Sequence, residues 1–306
     1  MATRGYPKDP GLTARMGLTI FLLGLLYVVF IGVLLSIGVS TVAVIVIAGA
    51  LLFAQYFFSD KIALFSMHGR VVSPQEAPEL HAMVDRLCAL ADMPKPQVGI
   101  ADTDIPNAFA TGRNPRKAVV CVTTGILRRL EPRELEGVLS HELSHVAHRD
   151  VAVMTIASFL GVLAGMITRV TLYAGMFGGY GGGSRDNRDN GAMAVLAIML
   201  VSIIVYAISF LLTRALSRYR ELSADRSGAI LIGAPSALAS ALVKVTGAMS
   251  RIPTRDLRSA EAFNAFFFAP AFTKGFSISS LFSTHPPLEK RLEQLSRLEE
   301  QMRQIG

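Results

Sequence analysis

The chain has 306 residues, 51% of them hydrophobic, with a mean hydropathy of +0.45, which is too apolar for an ordinary soluble domain. Its net charge of +7 comes without a basic stripe, interleaved aromatics or a glycine-rich reading motif. That pattern excludes a nucleic-acid partner and points instead to positive residues flanking apolar spans. Cys88 and Cys121 stand far apart without a CxxC pattern, so a disulfide framework and a cysteine zinc site are both excluded and buried free thiols are expected.

The first long apolar run extends from Met16 to Ile37, and after the short break Gly38-Val39-Ser40 a second runs from Thr41 to Phe58. Each is long enough to cross hydrocarbon as a helix. A signal peptide competes for the first run, but no Ala-x-Ala cleavage site follows and the chain enters another span directly, so an uncleaved hairpin over 1–58 is expected. Arg4, Lys8 and Arg15 precede the hairpin and its connection is uncharged, which places both of its ends in the cytoplasm.

Residues 59–150 read as a water-soluble segment with helices and short strands. Ser73, Pro74 and Glu76 supply capping signals for a helix starting between Ser73 and Pro78, with Leu80, Val84, Leu87 and Leu90 on its apolar face. Gln97 to Ala101 and Lys117 to Thr123 have strand character, and Asn107 to Thr111 is a candidate third strand. Pro132 fits the first position of another helix, which is expected to run on into a third apolar segment, Val151 to Phe177, interrupted by Arg169.

A glycine-rich loop, Gly178 to Gly191, separates it from a fourth apolar segment, Ala192 to Leu212. Arg169 leaves two arrangements open for this pair over 151–212, a full crossing with the arginine at the far interface or a shallower hairpin. Residues 213–306 return to a basic, cytoplasm-like composition. Ala234 to Met249 reads as a small-residue helix, and Leu288, Leu292, Leu295 and Leu298 mark an amphipathic terminal helix. Between them, the phenylalanine-rich stretch Phe263 to Phe276 either screens apolar substrate segments at the cleft or membrane surface or fills the core of the cytoplasmic part.

The chemistry is concentrated in His141-Glu142-Leu143-Ser144-His145. On a helix the two histidines lie one turn apart on one face, a geometry that suits Zn²⁺ at about 2.0–2.1 Å from each imidazole nitrogen. Glu142 then lies beside the open coordination position, where its carboxylate takes the proton of a zinc-bound water and so generates the nucleophile for peptide hydrolysis.

Zinc requires a third ligand. His148 shares the helical stripe, but its position places it about 10 Å along the axis from His141, too far for a common ion, so a structural or supporting role is expected of it. Glu221, in Glu221-Leu222-Ser223-Ala224-Asp225, is the better source. If the third and fourth apolar segments form an antiparallel hairpin, His145 and Glu221 emerge at about 9 Å and 14 Å above the apolar boundary. Glu221 would then complete a His₂Glu set, and Asp225, one turn on, can accept the free N–H of a ligand histidine. His285, in Ser283-Thr284-His285-Pro286-Pro287, is held at a rigid corner. On its own it is either a solvated loop residue or a donor to the oxyanion of a tetrahedral intermediate.

These pieces in this order resemble the HtpX-like membrane zinc metalloproteases, relatives of the CAAX prenyl proteases. The match covers nearly the whole chain: the leading apolar hairpin, Asn107 to Gly112, HELSH followed by Arg149-Asp150, the next apolar pair, Glu221 to Asp225, and Ser283 to Pro287. The resemblance implies a gluzincin-type endopeptidase of the cell membrane that degrades or clips damaged membrane proteins from the cytoplasmic side. It implies His141, His145 and Glu221 as ligands of one zinc per chain, Glu142 as general base and Asp225 as a residue supporting a ligand. It also makes His285 a transition-state donor and Asn107 a contact to the substrate strand.

The fold expected is α+β and mainly helical, an integral membrane protein with about four transmembrane helices and a cytoplasmic zincin-like catalytic domain containing a small β-sheet. Its partners are membrane-protein or peptide substrates and the lipid bilayer. Other functions fit less well. An inactive zinc-binding scaffold would have lost Glu142, a transporter should place several polar groups at mid-membrane where only Arg169 stands, and an intramembrane protease should carry its motif inside an apolar span. A CAAX-type processing protease shares the chemistry and differs in cavity and substrate.

Overall fold

The computed structural model describes residues 10–36, 68–112, 114–150, 185–251 and 285–305, with single positions in 42–57 and 153–167. The chain divides into two compact units, one formed by Met1–Thr13, Phe57–Val153 and Ser217–Gly306, the other by Ala14–Tyr56 and Met154–Leu216.

The second unit is built from apolar helices. Helix α1 covers Pro10–Ser36, and among the described residues two helical stretches are long and apolar enough to cross a membrane, Thr13–Ser36 and Leu196–Ile232. Their apolar side chains point outward, with Phe21 65% and Val28 70% exposed, an arrangement that suits lipid and not water. Inside the unit, the rings of Tyr27 and Phe159 stack at 6.1 Å, and the Thr213 hydroxyl donates to the carbonyl of Ala157 at 3.3 Å. Most of the expected second and third apolar runs, Arg169, the glycines 178–183 and the stretch from Phe263 to Phe276 lie outside the described residues.

The first unit holds a four-stranded sheet of β1 (Gly69–Val71), β2 (Gln97–Ala101), β3 (Ala108–Thr111) and β4 (Val119–Thr123) in the order β1-β2-β4-β3. β2 and β4 run parallel, while β1 and β3 pair antiparallel with β2 and β4 respectively. All five residues of β4 are buried, as expected of a central strand covered on both faces. β3 lies at an edge and keeps one side of its backbone unpaired within the sheet.

Helix α2 (Pro78–Ala91) buries Leu80, Val84 and Leu87. The capping signals before it close a separate turn, in which the Ser73 backbone N–H donates to the Glu76 carboxylate at 2.7 Å. After the short α3 (Thr124–Leu127) comes α4 (Pro132–Ala147), which carries the motif. Its start is secured twice. Glu131 and Glu134 form a reciprocal capping box, and Glu134 also accepts from Ser240 at 2.6 Å and from Lys244 at 2.8 Å, both on α6 (Pro235–Met249).

The end of α4 departs from expectation. The helix does not continue into the third apolar run; it stops at Ala147, and Arg149 adopts a left-handed φ of 56°. A non-glycine residue resists this conformation. Here the reversal turns Asp150 back toward His145, so a buried ion pair accompanies the break.

Helix α5 spans Arg185–Ile232. Residues 185–191, expected in a loop, are therefore helical, and a single helix carries both the fourth apolar run and Glu221. Gly228 on α5 lies against α4 so closely that a Cβ there would meet the backbone nitrogen of His141 at 2.9 Å, and Ser140 Oγ donates to the Gly228 carbonyl at 2.9 Å. The terminal helix α7 (Leu288–Ile305) buries Leu295 and Leu298, and its Gln294 amide donates to the Leu222 carbonyl of α5 at 2.6 Å.

Candidate active site

Helix α4 is buried along most of its length, and its apolar residues Val138, Leu139 and Leu143 fix its rotation. That rotation points His141 and His145 toward α5. The two Nε2 atoms lie 3.2 Å apart, and Glu221 Oε2 and Oε1 lie 3.5 Å and 3.4 Å from the first and second of them. His141, His145 and Glu221 are the one group among the described residues able to offer three ligand atoms to one metal ion.

These separations test the fit to zinc. Ligand atoms at about 2.1 Å in tetrahedral geometry stand about 3.4 Å apart, which is the spacing between the two nitrogens and the carboxylate oxygens here. The other nitrogen of each ring is engaged: His141 Nδ1 is 2.9 Å from Asp225 Oδ1 and His145 Nδ1 is 2.7 Å from Asp150 Oδ2. A proton held at each Nδ1 leaves the facing Nε2 lone pairs for the metal. The donor set therefore fits zinc, with a fourth position left for water or substrate.

Asp225 thus lies against His141, one of the two histidines of the motif. Asp150 does the same for the other histidine and was not anticipated, because the sequence pattern carried α4 straight past it. Each aspartate in turn meets a buried arginine. Arg291 Nε donates to Asp225 Oδ2 at 2.7 Å and its Nη2 to Oδ1 at 2.6 Å, while Arg220 Nε lies 3.0 Å from Asp150 Oδ1. Burial alone would raise the Asp150 carboxyl, but Arg220 and His145 hold it down at about 2. Burial alone would likewise depress His145, yet the carboxylates of Asp150 and Glu221 raise it to about 10 in the metal-free protein.

Glu142 is buried beside this group. Burial pushes its carboxyl above the usual range, His141 and His145 oppose that, and the backbone N–H of Ala110 on β3 donates to it. The edge strand thus helps to hold the acid. A carboxylate made more basic in this way is a better proton acceptor near neutral pH.

His285 is also buried, with Nδ1 3.0 Å from Glu221 Oε2; the structure places it against that carboxylate and not on an open loop. Asn107 is fully buried at the start of β3, and its backbone is committed to Thr123, donating to Oγ1 at 2.9 Å and accepting from the backbone N–H at 2.9 Å. His148 caps the C-terminus of α4, its N–H donating to the Ser144 carbonyl, and stands apart from the ligand set. Cys88 and Cys121 are buried free thiols, pushed up by burial to about 11 and about 12.

The pattern of peptidase family M48 matches residues 74–299, a stretch that includes every residue of this group. The chain belongs to peptidase family M48. Within that family it is 60% identical over 293 residues to "Protease HtpX homolog 1" of Streptomyces coelicolor, covering 96% of this chain and 94% of the relative. It is 57% identical over 300 residues to "Protease HtpX homolog" of Moorella thermoacetica, covering 98% of each. Among solved structures, the crystal structure of S. mikatae Ste24p aligns with a TM-score of 0.52 at 16% identity, over 94% of this chain and 67% of that one, a likeness of fold. M48 membership and the HtpX relatives make the chain a metalloprotease, the metal implied is typically zinc, and the two long apolar helices agree with a membrane protein.

Proposed function

We propose that the chain is a zinc endopeptidase of the cell membrane that hydrolyses damaged or misfolded membrane proteins from the cytoplasmic side, with one zinc per chain held by His141, His145 and Glu221. The observation that carries this reading is the convergence of three ligand atoms at zinc spacing with a buried carboxylate, Glu142, on the same helix turn.

When bound, zinc supplies a Lewis acid that acidifies water and polarises the scissile carbonyl. Glu142 removes a proton from the attacking water and returns it to the departing amide nitrogen, so the base of the first step is the acid of the second. Its hydrogen bond from Ala110 aims the carboxylate and ties it to β3. The unpaired side of that edge strand offers backbone groups to an extended substrate, and Asn107 contributes through its side chain because its backbone is occupied. His285 serves the developing oxyanion.

Replacing Glu142 with Gln tests this reading. The ligands are untouched, so zinc content stays at the parent level while cleavage of casein or a membrane-protein substrate falls about 10²–10⁴-fold. Undiminished cleavage by that variant contradicts the assignment.

A further inference from the structure

Two arginines enter the core of the catalytic unit, and the Nη2 of Arg291 also comes to 4.0 Å from Glu221 Oε2. Arg291 is 1% exposed and Arg220 is 7% exposed. Burying a guanidinium is costly, and each of these is matched to one aspartate that itself holds one ligand histidine. The result is a pair of relays of the same form, Arg291 to Asp225 to His141 and Arg220 to Asp150 to His145. They arise from different parts of the chain: the first joins α7 to α5 and α4, the second joins α5 to the turn after α4.

The charges balance in a way that explains why arginines are present at all. Glu142, Glu221, Asp150 and Asp225 are all buried, a density of carboxylate that a divalent cation offsets only in part. With both arginines included, the group has two more carboxylates than guanidiniums, matching one Zn²⁺. The relays therefore provide acceptors for both Nδ1 atoms without leaving excess negative charge around the metal.

The two contacts differ in geometry. Arg291 grips Asp225 through two nitrogens, a fork that fixes the plane of the carboxylate and with it the oxygen facing His141. Arg220 places Nε 3.0 Å from Asp150 Oδ1, and the aspartate is already placed by the turn at Arg149. The first depends on guanidinium shape, the second mainly on charge.

We propose that Arg291 and Arg220 are positioning residues of the metal site, Arg291 by orienting Asp225 and thereby the His141 ring, and Arg220 by neutralising Asp150 behind His145. This rests on the zinc reading above, so the test is made on full-length protein carrying Glu142→Gln, which binds zinc without cleaving itself. Zinc affinity is measured by competition with a chromophoric chelator, and folding is checked by thermal melting of the metal-free protein.

Arg291→Met and Arg291→Lys both weaken zinc binding by about 10–100-fold, the usual cost of removing the partner of a metal-binding histidine. Arg220→Met weakens it to a similar degree, whereas Arg220→Lys restores affinity to within about threefold of the parent because charge alone suffices there. If Arg291→Met fails to fold, Arg291→Lys decides the matter alone. Parent-like affinity in Arg291→Lys overturns the orienting role, and Arg220→Lys binding as weakly as Arg220→Met overturns the charge role. A parent protein that binds no zinc refutes the metal reading itself and is distinguishable from both.

Discussion

Gly228 and Gly24 both sit inside long helices, yet a methyl group added to the first meets the His141 backbone at 2.9 Å and one added to the second meets nothing within 4 Å among the described residues. The difference reflects two solvents. In the catalytic unit, α4 and α5 approach backbone to backbone so that His141, His145 and Glu221 reach one point, and ionised groups are buried with partners. In the apolar unit, α1 presents Leu25 and Val28 outward, and its glycines 17, 24 and 32 have no described atom within 4 Å of an added methyl. Water cannot stabilise that surface, whereas lipid can.

The largest expected effect comes from placing a charge on the apolar unit. Leu25, 52% exposed and near the middle of Thr13–Ser36, becomes unfavourable by about 3 kcal/mol when replaced by Arg, on an insertion scale for helix centres. Leu25→Arg should sharply reduce the membrane-integrated fraction in a protease-protection assay, and unchanged integration would show that α1 is not a span. Next comes Gly228→Ala. Its neighbours are backbone atoms that cannot rotate away, so overpacking should cost about 1–3 kcal/mol, read as a lower denaturation midpoint together with weaker zinc binding. A midpoint equal to the parent's would mean that α4 and α5 do not meet so closely.

The smallest effect is expected at Gly24→Ala, where the added methyl meets no atom of the described residues. Helix propensity favours alanine, so the midpoint should stay within about 0.5 kcal/mol of the parent or rise slightly. A large loss there would reveal a close helix neighbour for α1.

Much of the site was legible because its signals are local or periodic. The one-turn spacing of His141 and His145 and the carboxylate between them identify α4, and Pro132 marks its start. Glu221 and Asp225 required one more step, the comparison of heights above the apolar segments. Asp150 escaped because Arg149 takes its left-handed conformation without the glycine that usually announces one, so an apolar run after a helical pattern read as one helix. Arg220 and Arg291 escaped for a different reason. Their partners lie 70 and 66 positions away in the chain, and no periodicity connects them. β1, three residues long, is too short for an alternation pattern to appear.

The account rests on Glu221 as the third ligand, and its nearest rival is His285, whose ring stands 3.0 Å from the same carboxylate. Zinc stoichiometry of purified Glu221→Ala and His285→Ala, measured by plasma mass spectrometry after dialysis against a weak chelator, separates the two. Glu221→Ala is expected to lose most of its zinc while His285→Ala retains a stoichiometric ion; zinc retained by Glu221→Ala and lost from His285→Ala would contradict Glu221 as the third ligand.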